Sequence, residues 1–148
     1  MGLFSDAVKA LKGAGFSDRT LPSILANIDV ETGGTFDWQQ KQNKGGNGYG
    51  LFQFDSQKDK YFDWLSKTSK KDSALSQSQF VYGLIYDKEP FHDIGYGHRK
   101  ELRKSFKDDG VDWMTSEFMD RYERPDEDHW ERRLEAGQKY KGMLTKSK

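Results

Sequence analysis

The acidic residue best placed to do chemistry is Glu31. It closes the stretch Thr20-Leu-Pro-Ser-Ile-Leu-Ala-Asn-Ile-Asp-Val-Glu-Thr-Gly-Gly34, in which Leu21, Ile24, Leu25 and Ile28 recur at helical spacing. Glu31 and Thr32 are the next members of that face. A carboxylate that continues a core-facing stripe is expected to lose hydration, which disfavours its charged form and raises its pKa toward the value a general acid needs. That is the chemistry of a glycosidase acid. The same spacing equally suits a glutamate in the last helical turn that bends outward to water. After it come two glycines and then Gly45-Gly-Asn-Gly-Tyr-Gly-Leu-Phe-Gln-Phe-Asp55, which reads as a hairpin. Its glycines at 45, 46, 48 and 50 mark places where the backbone turns tightly or lets a ligand come close.

The elements that must hold these residues are mostly helices. Residues 3–13 form a short amphipathic helix through Leu3, Phe4, Val8 and Leu11, stopped by Gly13 and Gly15. A second runs from about Thr20 to Thr32 with Pro22 in its first turn. A third starts at Asp55 or Ser56 and carries Tyr61, Phe62 and Leu65, and a fourth spans roughly Ser73 to Tyr86. Pro90 breaks the pattern within Asp87–Asp93. Beyond it, Leu102 and Phe106 sit four apart, Val111, Met114, Phe118 and Tyr122 form a stripe, and Pro125 opens a final helix through Trp130, Leu134 and Tyr140. The expected fold is mainly α with one small β element in the first third. Within the hairpin, period-two alternation puts Tyr49, Leu51, Gln53 and Asp55 on one face and Gly50, Phe52 and Phe54 on the other.

Composition sets the bounds. With 148 residues the chain is expected to be one domain, residues 1–148. Only 34 % of it is hydrophobic but 14 % is aromatic, so the core leans on Phe, Tyr and Trp. Aromatic rings also suit a carbohydrate groove, because sugars present flat C–H faces. The 24 basic and 24 acidic residues cancel, which argues against nucleic acid or an anionic membrane surface as the main partner. Without cysteine there is no disulfide framework and no thiolate chemistry. His92, Asp93 and His98 lack the helical spacing of a zinc hydrolase, so neither a metal nor any other cofactor is expected. The amino terminus, Met1-Gly-Leu-Phe-Ser-Asp6, lacks the charged and apolar regions of a secretory signal. No apolar run approaches the ~20 residues that span a bilayer. The reading is a chain made in a cytoplasm that another factor carries or releases to its target.

Glu31 at a helix end, the glycine-rich interval and Gly46-Asn-Gly-Tyr-Gly-Leu-Phe-Gln-Phe-Asp55 together resemble the active-site segment of goose-type lysozymes and soluble lytic transglycosylases, whose catalytic glutamate precedes a Gly-Leu-Met-Gln-like hairpin. The chain is also similar to the phage tail lysozyme family, whose members pair a glutamate motif with Gly-Leu-Phe-Gln-Trp and end in a Phe-Glu-Arg-Pro-like motif. The matching residues are Gly50-Leu-Phe-Gln-Phe54 and Tyr122-Glu-Arg-Pro125, followed by Arg133 and Ala136. The resemblance implies a lysozyme-like α+β fold, with a helix and a small sheet as opposite walls of a cleft, and cleavage of the β-1,4 bond of peptidoglycan. Glu31 matches the catalytic acid. Asp55 matches an aspartate that helps position the attacking water; Asp55 or Ser56 would also make a good helix N-cap. Lys44 departs from the pattern, standing where goose-type enzymes can carry a second aspartate.

Around this pair, Gln53 is placed to orient Glu31 or to bind a sugar acetamide, with Asn47 and Tyr49 on the rim, although turn chemistry suits both. Trp38 is placed to stack on a sugar or to cover the core. Asp37 is a substitute base or a polar turn residue. Glu123 either pairs with an arginine that braces the cleft or belongs to a surface pair of little energetic weight. The reading is thus a monomeric phage lysozyme or endolysin acting on the glycan strands of the periplasmic wall after release, or carried in the virion. Two rivals stand beside it: a lytic transglycosylase in which Glu31 works alone and leaves 1,6-anhydro ends, and a non-catalytic peptidoglycan-binding virion protein. Zero formal charge gives weak long-range attraction to an anionic envelope. Lytic activity is therefore expected to change less than about three-fold between low and physiological salt, measured by turbidity; a steep loss would contradict this.

Overall fold

A computed structural model describes residues 2–41, 48–86, 98–123 and 129–146. Among these the chain forms seven α-helices: α1 Leu3–Ala14, α2 Leu21–Thr32, α3 Lys58–Thr68, α4 Ala74–Tyr86, α5 Arg99–Asp108, α6 Val111–Phe118 and α7 Trp130–Lys146. A π-helical turn, Met119–Glu123, continues α6. The architecture is mainly helical, as the periodicity predicts. No described helix is long and apolar enough to cross a membrane. The predicted break around Pro90 and the opening at Pro125 fall outside the described residues, and α7 is first seen at Trp130.

The helix that carries Glu31 lies at the centre. Leu21 through Ile28 and Thr32 are all buried, so α2 is enclosed on every side except near its last turn. Its end is fixed by sequence. Gly33 takes the left-handed conformation (φ 62°), and the Gly34 N–H reaches back to the Asp29 carbonyl at 2.7 Å, the pattern of a helix terminated by glycine. Beyond it Phe36, also at positive φ, turns inward between Phe4 and Tyr140. The neighbours of α2 are chiefly α7 and α6, while α1 packs on α4. Close approach on the α7 side rests on Gly137. A Cβ there would meet Thr115 Oγ1 at 3.0 Å, with Ala26 Cβ at 3.8 Å.

The amphipathic spacing of the other helices selects their inner faces. In α3 Tyr61, Trp64 and Leu65 are buried while Phe62 stays 39 % exposed. In α7 the inner face is Arg133, Ala136 and Tyr140, while Trp130 at its start is 47 % exposed. Ser73 Oγ accepts the Ser76 N–H at 3.0 Å and so caps the start of α4.

The segment predicted as a hairpin is different, and the described residues contain no strand. Tyr49 and Phe54 exchange both backbone hydrogen bonds (3.0 and 2.8 Å), closing the loop Gly50-Leu-Phe-Gln53 with Gly50 and Gln53 at positive φ. Lys41 forms a second isolated bridge with Tyr49. The two-face alternation fails because Leu51, Phe52 and Phe54 are all buried. Each turns into the core from a loop rather than from a pleated strand. Beneath the loop lies a polar network. Gln77, fully buried on α4, accepts the Leu51 N–H at 2.9 Å and donates to the Trp38 carbonyl at 2.7 Å and to Asp72 at 3.2 Å. Asp72 also accepts the Tyr49 and Tyr61 hydroxyls, each at 2.5 Å. Burial and then the Asp72 carboxylate push both phenols up from their ordinary range, so they stay protonated donors.

Gly50 is held by both its φ of 81° and its neighbours, since a Cβ there would come within 2.5 Å of Gln77 Oε1. Gln77 cannot swing aside without releasing the loop. Gly50→Ala is therefore expected to destabilise the fold by about 2 kcal/mol or more, read by urea denaturation; a change below about 0.5 kcal/mol would contradict this account.

Candidate active site

A polar stripe crosses the buried helix α2 at four-residue intervals: Ser23, Asn27, Glu31. Each member is satisfied by a neighbouring helix. Ser23 Oγ donates to the Val111 carbonyl at 2.9 Å, and Asn27 Nδ2 donates to the Ser23 carbonyl at 2.9 Å and the Thr115 carbonyl at 3.2 Å. Asn27 Oδ1 accepts from Arg133 Nη1 at 2.7 Å, and Arg133 Nη2 donates to Glu31 Oε1 at 3.3 Å. The Arg133 side chain is 1 % exposed and that of Glu31 16 %. The guanidinium is thus enclosed, while the carboxylate it grips keeps an opening to solvent.

This arrangement answers an electrostatic problem of α2. Its last turn carries Asp29 and Glu31 and no basic residue, which opposes the negative end of the helix dipole. Two consecutive arginines of α7 supply the cations: Arg132 lies 3.7 Å from Asp29 while Arg133 holds Glu31. Tyr140, further along the same helix, donates its hydroxyl to Asp29.

A second carboxyl meets the first. Glu123 ends the π turn, and although the residue keeps some exposure its carboxyl is enclosed; Oε1 meets no hydrogen-bond donor among the described residues. Burial, then the charge of Glu31, push this carboxyl well above the usual carboxylate range, and the Arg133 charge works in the other direction. Burial and the neighbouring Glu31 charge thus both favour the neutral form of Glu123. The turn itself is braced by Tyr122, whose ring stacks on Phe118 at 5.1 Å and meets Phe52 of the loop at 6.1 Å, and whose hydroxyl donates to Gln57 at 2.8 Å.

The other predicted residues are placed as follows. Asp55 is exposed, and only its backbone carbonyl serves the next helix, accepting the Lys58 N–H at 3.1 Å. α3 begins at Lys58 after Gln57, with no side-chain cap, so neither Asp55 nor Ser56 takes the predicted capping role. Gln53 donates to the Gln40 and Gly50 carbonyls (3.2 and 2.8 Å), which ties its amide nitrogen to the loop. Tyr49 is half-buried and spends its hydroxyl on Asp72. Trp38 is partly buried against the core. Asp37 accepts the Gln39 N–H at 2.9 Å, a turn contact. Asn47 and Lys44 lie outside the described residues, as do His92 and Asp93.

The structure therefore brings Glu31 together with Glu123, Arg133 and Asn27. Arg133 was visible in sequence only as part of a motif, and Glu123 as an acid that pairs either with an arginine bracing the cleft or at the surface; the charge beside it is that of enclosed Arg133. Asn27 carried one usable signal, its four-residue offset from Glu31 on a helix otherwise almost wholly apolar. The position of Glu123 had none, because α-helical spacing turns it away from Phe118. Residues five apart share a side only in a helix bonded i to i+5, as this turn is.

No curated protein and no solved structure matches the chain. The model of one family, described as phage tail lysozyme, does match it over residues 5–144, and α2, the loop, the π turn and the arginine pair of α7 all fall inside that span. The chain belongs to the phage tail lysozyme family.

Proposed function

We propose that the chain, as one catalytic unit over residues 1–148, is a muramidase that hydrolyses the β-1,4 bond between N-acetylmuramic acid and N-acetylglucosamine in peptidoglycan, with Glu31 as general acid. Family membership supports the peptidoglycan-lytic role. The observation that carries the choice of residue is the grip of enclosed Arg133 on a carboxylate that itself remains 16 % exposed. Such a group is held in one orientation and still meets a substrate. Glu31 donates a proton to the glycosidic oxygen as the bond breaks, and the leaving sugar departs as an alcohol. The protein reaches the wall after release from the cytoplasm that makes it, or carried in the virion.

One observation favours a second reading. An inverting hydrolase holds its two carboxyls roughly 6.5–9.5 Å apart with a water between them. Asp55 is exposed ahead of α3, and the Glu123 carboxyl is enclosed rather than open to a bound water. In a one-acid mechanism Glu31 acts first as acid and then as base, and the 6-hydroxyl of the sugar attacks. The product is then a 1,6-anhydro end.

The test is digestion of purified peptidoglycan by the wild-type chain and by Glu31→Gln, with muropeptides resolved by mass. Products are expected from the wild type and are expected to fall by about 100-fold or more in the variant. Reducing ends identify the hydrolase, and anhydro ends, lighter by one water, the transglycosylase. Lysis that survives the substitution would overturn Glu31 as the acid, and no lysis by the wild type would leave a binding protein. In the same assay Asp55→Asn is expected to stay within about three-fold of wild type, as suits an exposed residue of the turn. A loss approaching that of Glu31→Gln would return Asp55 to the chemistry.

A further inference from the structure

We infer that Trp113 and Trp130 form a stacking platform for the sugar rings of a glycan strand, extending substrate contact from the end of α2 onto the first turn of α7 and the outer side of α6. This rests on the reading of the chain as a peptidoglycan-cleaving enzyme and deepens it.

The four tryptophans divide by burial. Trp64 is buried and Trp38 packs partly buried against the core, whereas Trp113 is 63 % exposed and Trp130 47 %. A single exposed apolar residue is ordinary, but two indoles on one strip leave a continuous apolar area in water. They do share a strip. Trp130 Nε1 donates to Ser116 Oγ at 2.8 Å, which ties the start of α7 to α6. Trp113 precedes Ser116 by three residues on α6, and residues so spaced are neighbours on a helix surface, about 5–6 Å apart at Cβ. The bond to Ser116 also satisfies the polar atom of the Trp130 ring and holds its orientation, so what is left to cover is flat and apolar.

The strip continues to the acid. Trp130 opens the turn of α7 whose Arg132 and Arg133 lie 3.7 Å from Asp29 and 3.3 Å from Glu31 at the end of α2. An open concavity of about 600 Å³ at this turn is lined by His129, Trp130, Glu131 and Arg132, so one indole borders the same space as the arginine paired with Asp29. Charges along the strip are paired locally: Arg132 with Asp29, Arg121 with Glu117, and Asp112 with the Gln138 amide at 3.0 Å. Paired charges do not make the cationic track that a phosphate polymer or an anionic lipid surface requires. A sugar ring needs none, because its C–H face covers an indole and its hydroxyls stay in water. A ring already held in place loses little freedom when it binds. Contacts so far from the breaking bond are the same before and during the reaction, so they act on KM rather than on kcat.

The experiment is co-sedimentation with purified insoluble peptidoglycan, using Glu31→Gln as the parent so that the ligand stays intact. Adding Trp113→Ala is expected to weaken binding about five-fold or more. Trp113→Phe is expected to recover most of that loss and Trp113→Leu to recover little, because leucine supplies bulk without a flat face. Thermal unfolding of all three is expected to match the parent, since the side chain is mostly in water. In the cleaving chain Trp113→Ala is expected to raise KM about five-fold or more with kcat changed less than about two-fold. Unchanged binding and KM in Trp113→Ala, or Trp113→Leu binding as tightly as the parent, would overturn the inference. So would Trp113-dependent binding to phosphatidylglycerol vesicles with binding to peptidoglycan unaffected. If the wild type binds peptidoglycan through Trp113 but cleaves none, the proposed function fails and the platform stands; cleavage that is indifferent to Trp113 leaves the function and removes the platform.

Discussion

An enclosed guanidinium organises this molecule. Removing a cation from water costs several kcal/mol unless its donors find acceptors, and two acceptors of Arg133 come from one helix. Asn27 and Glu31 stand one turn apart on α2, so the fork of Arg133 spans that turn and fixes the register of α7 against it. One turn further along α7, Gly137 allows the close approach that Ala26 and Thr115 line. The polar clamp and the small-residue contact enforce the same crossing. Asn27 in turn bonds the Thr115 carbonyl, so α6 is drawn into the arrangement through the same side chain.

That crossing also decides what becomes of the acids at the end of α2. Glycine termination stops the helix directly after Glu31 and Thr32, and two acids at the negative end of a dipole would not be stable there alone. The arginines of α7 turn this local disadvantage into a fixed constellation. Since Arg133 is almost wholly enclosed and Glu31 is not, the charge that orients the acid is shielded from water and salt while the acid itself stays accessible.

A separate network holds the loop. Asp72 takes two tyrosine hydroxyls and a glutamine amide, and that glutamine holds the loop backbone. With these polar groups satisfied, Leu51, Phe52 and Phe54 can all be buried from a segment that has no strand partner. Phe52 then meets Tyr122, which connects the loop to the π turn that carries Glu123. Loop and π turn are thus joined through aromatic packing.

The helices were legible in the sequence because apolar spacing and terminal glycines act locally. Leu21, Ile24, Leu25 and Ile28 name the inner face of α2, and Gly33 names its end, whatever lies around them. The glutamate at that end, and a family resemblance carried by Gly50-Leu-Phe-Gln53 and Tyr122-Glu-Arg-Pro125, were equally readable. The hairpin read from the sequence is not confirmed among the described residues, because three large apolar residues in the four positions Leu51 to Phe54 satisfy a strand template and a buried loop alike, and the Asp72 network holds the loop. What the sequence by itself determined is the set of helices and the position of Glu31 at the end of one of them. The tertiary structure alone decided which charges meet Glu31, because Arg133 and Glu123 lie far along the chain and reach it only when α7 crosses α2 and the i to i+5 turn rotates Glu123 inward.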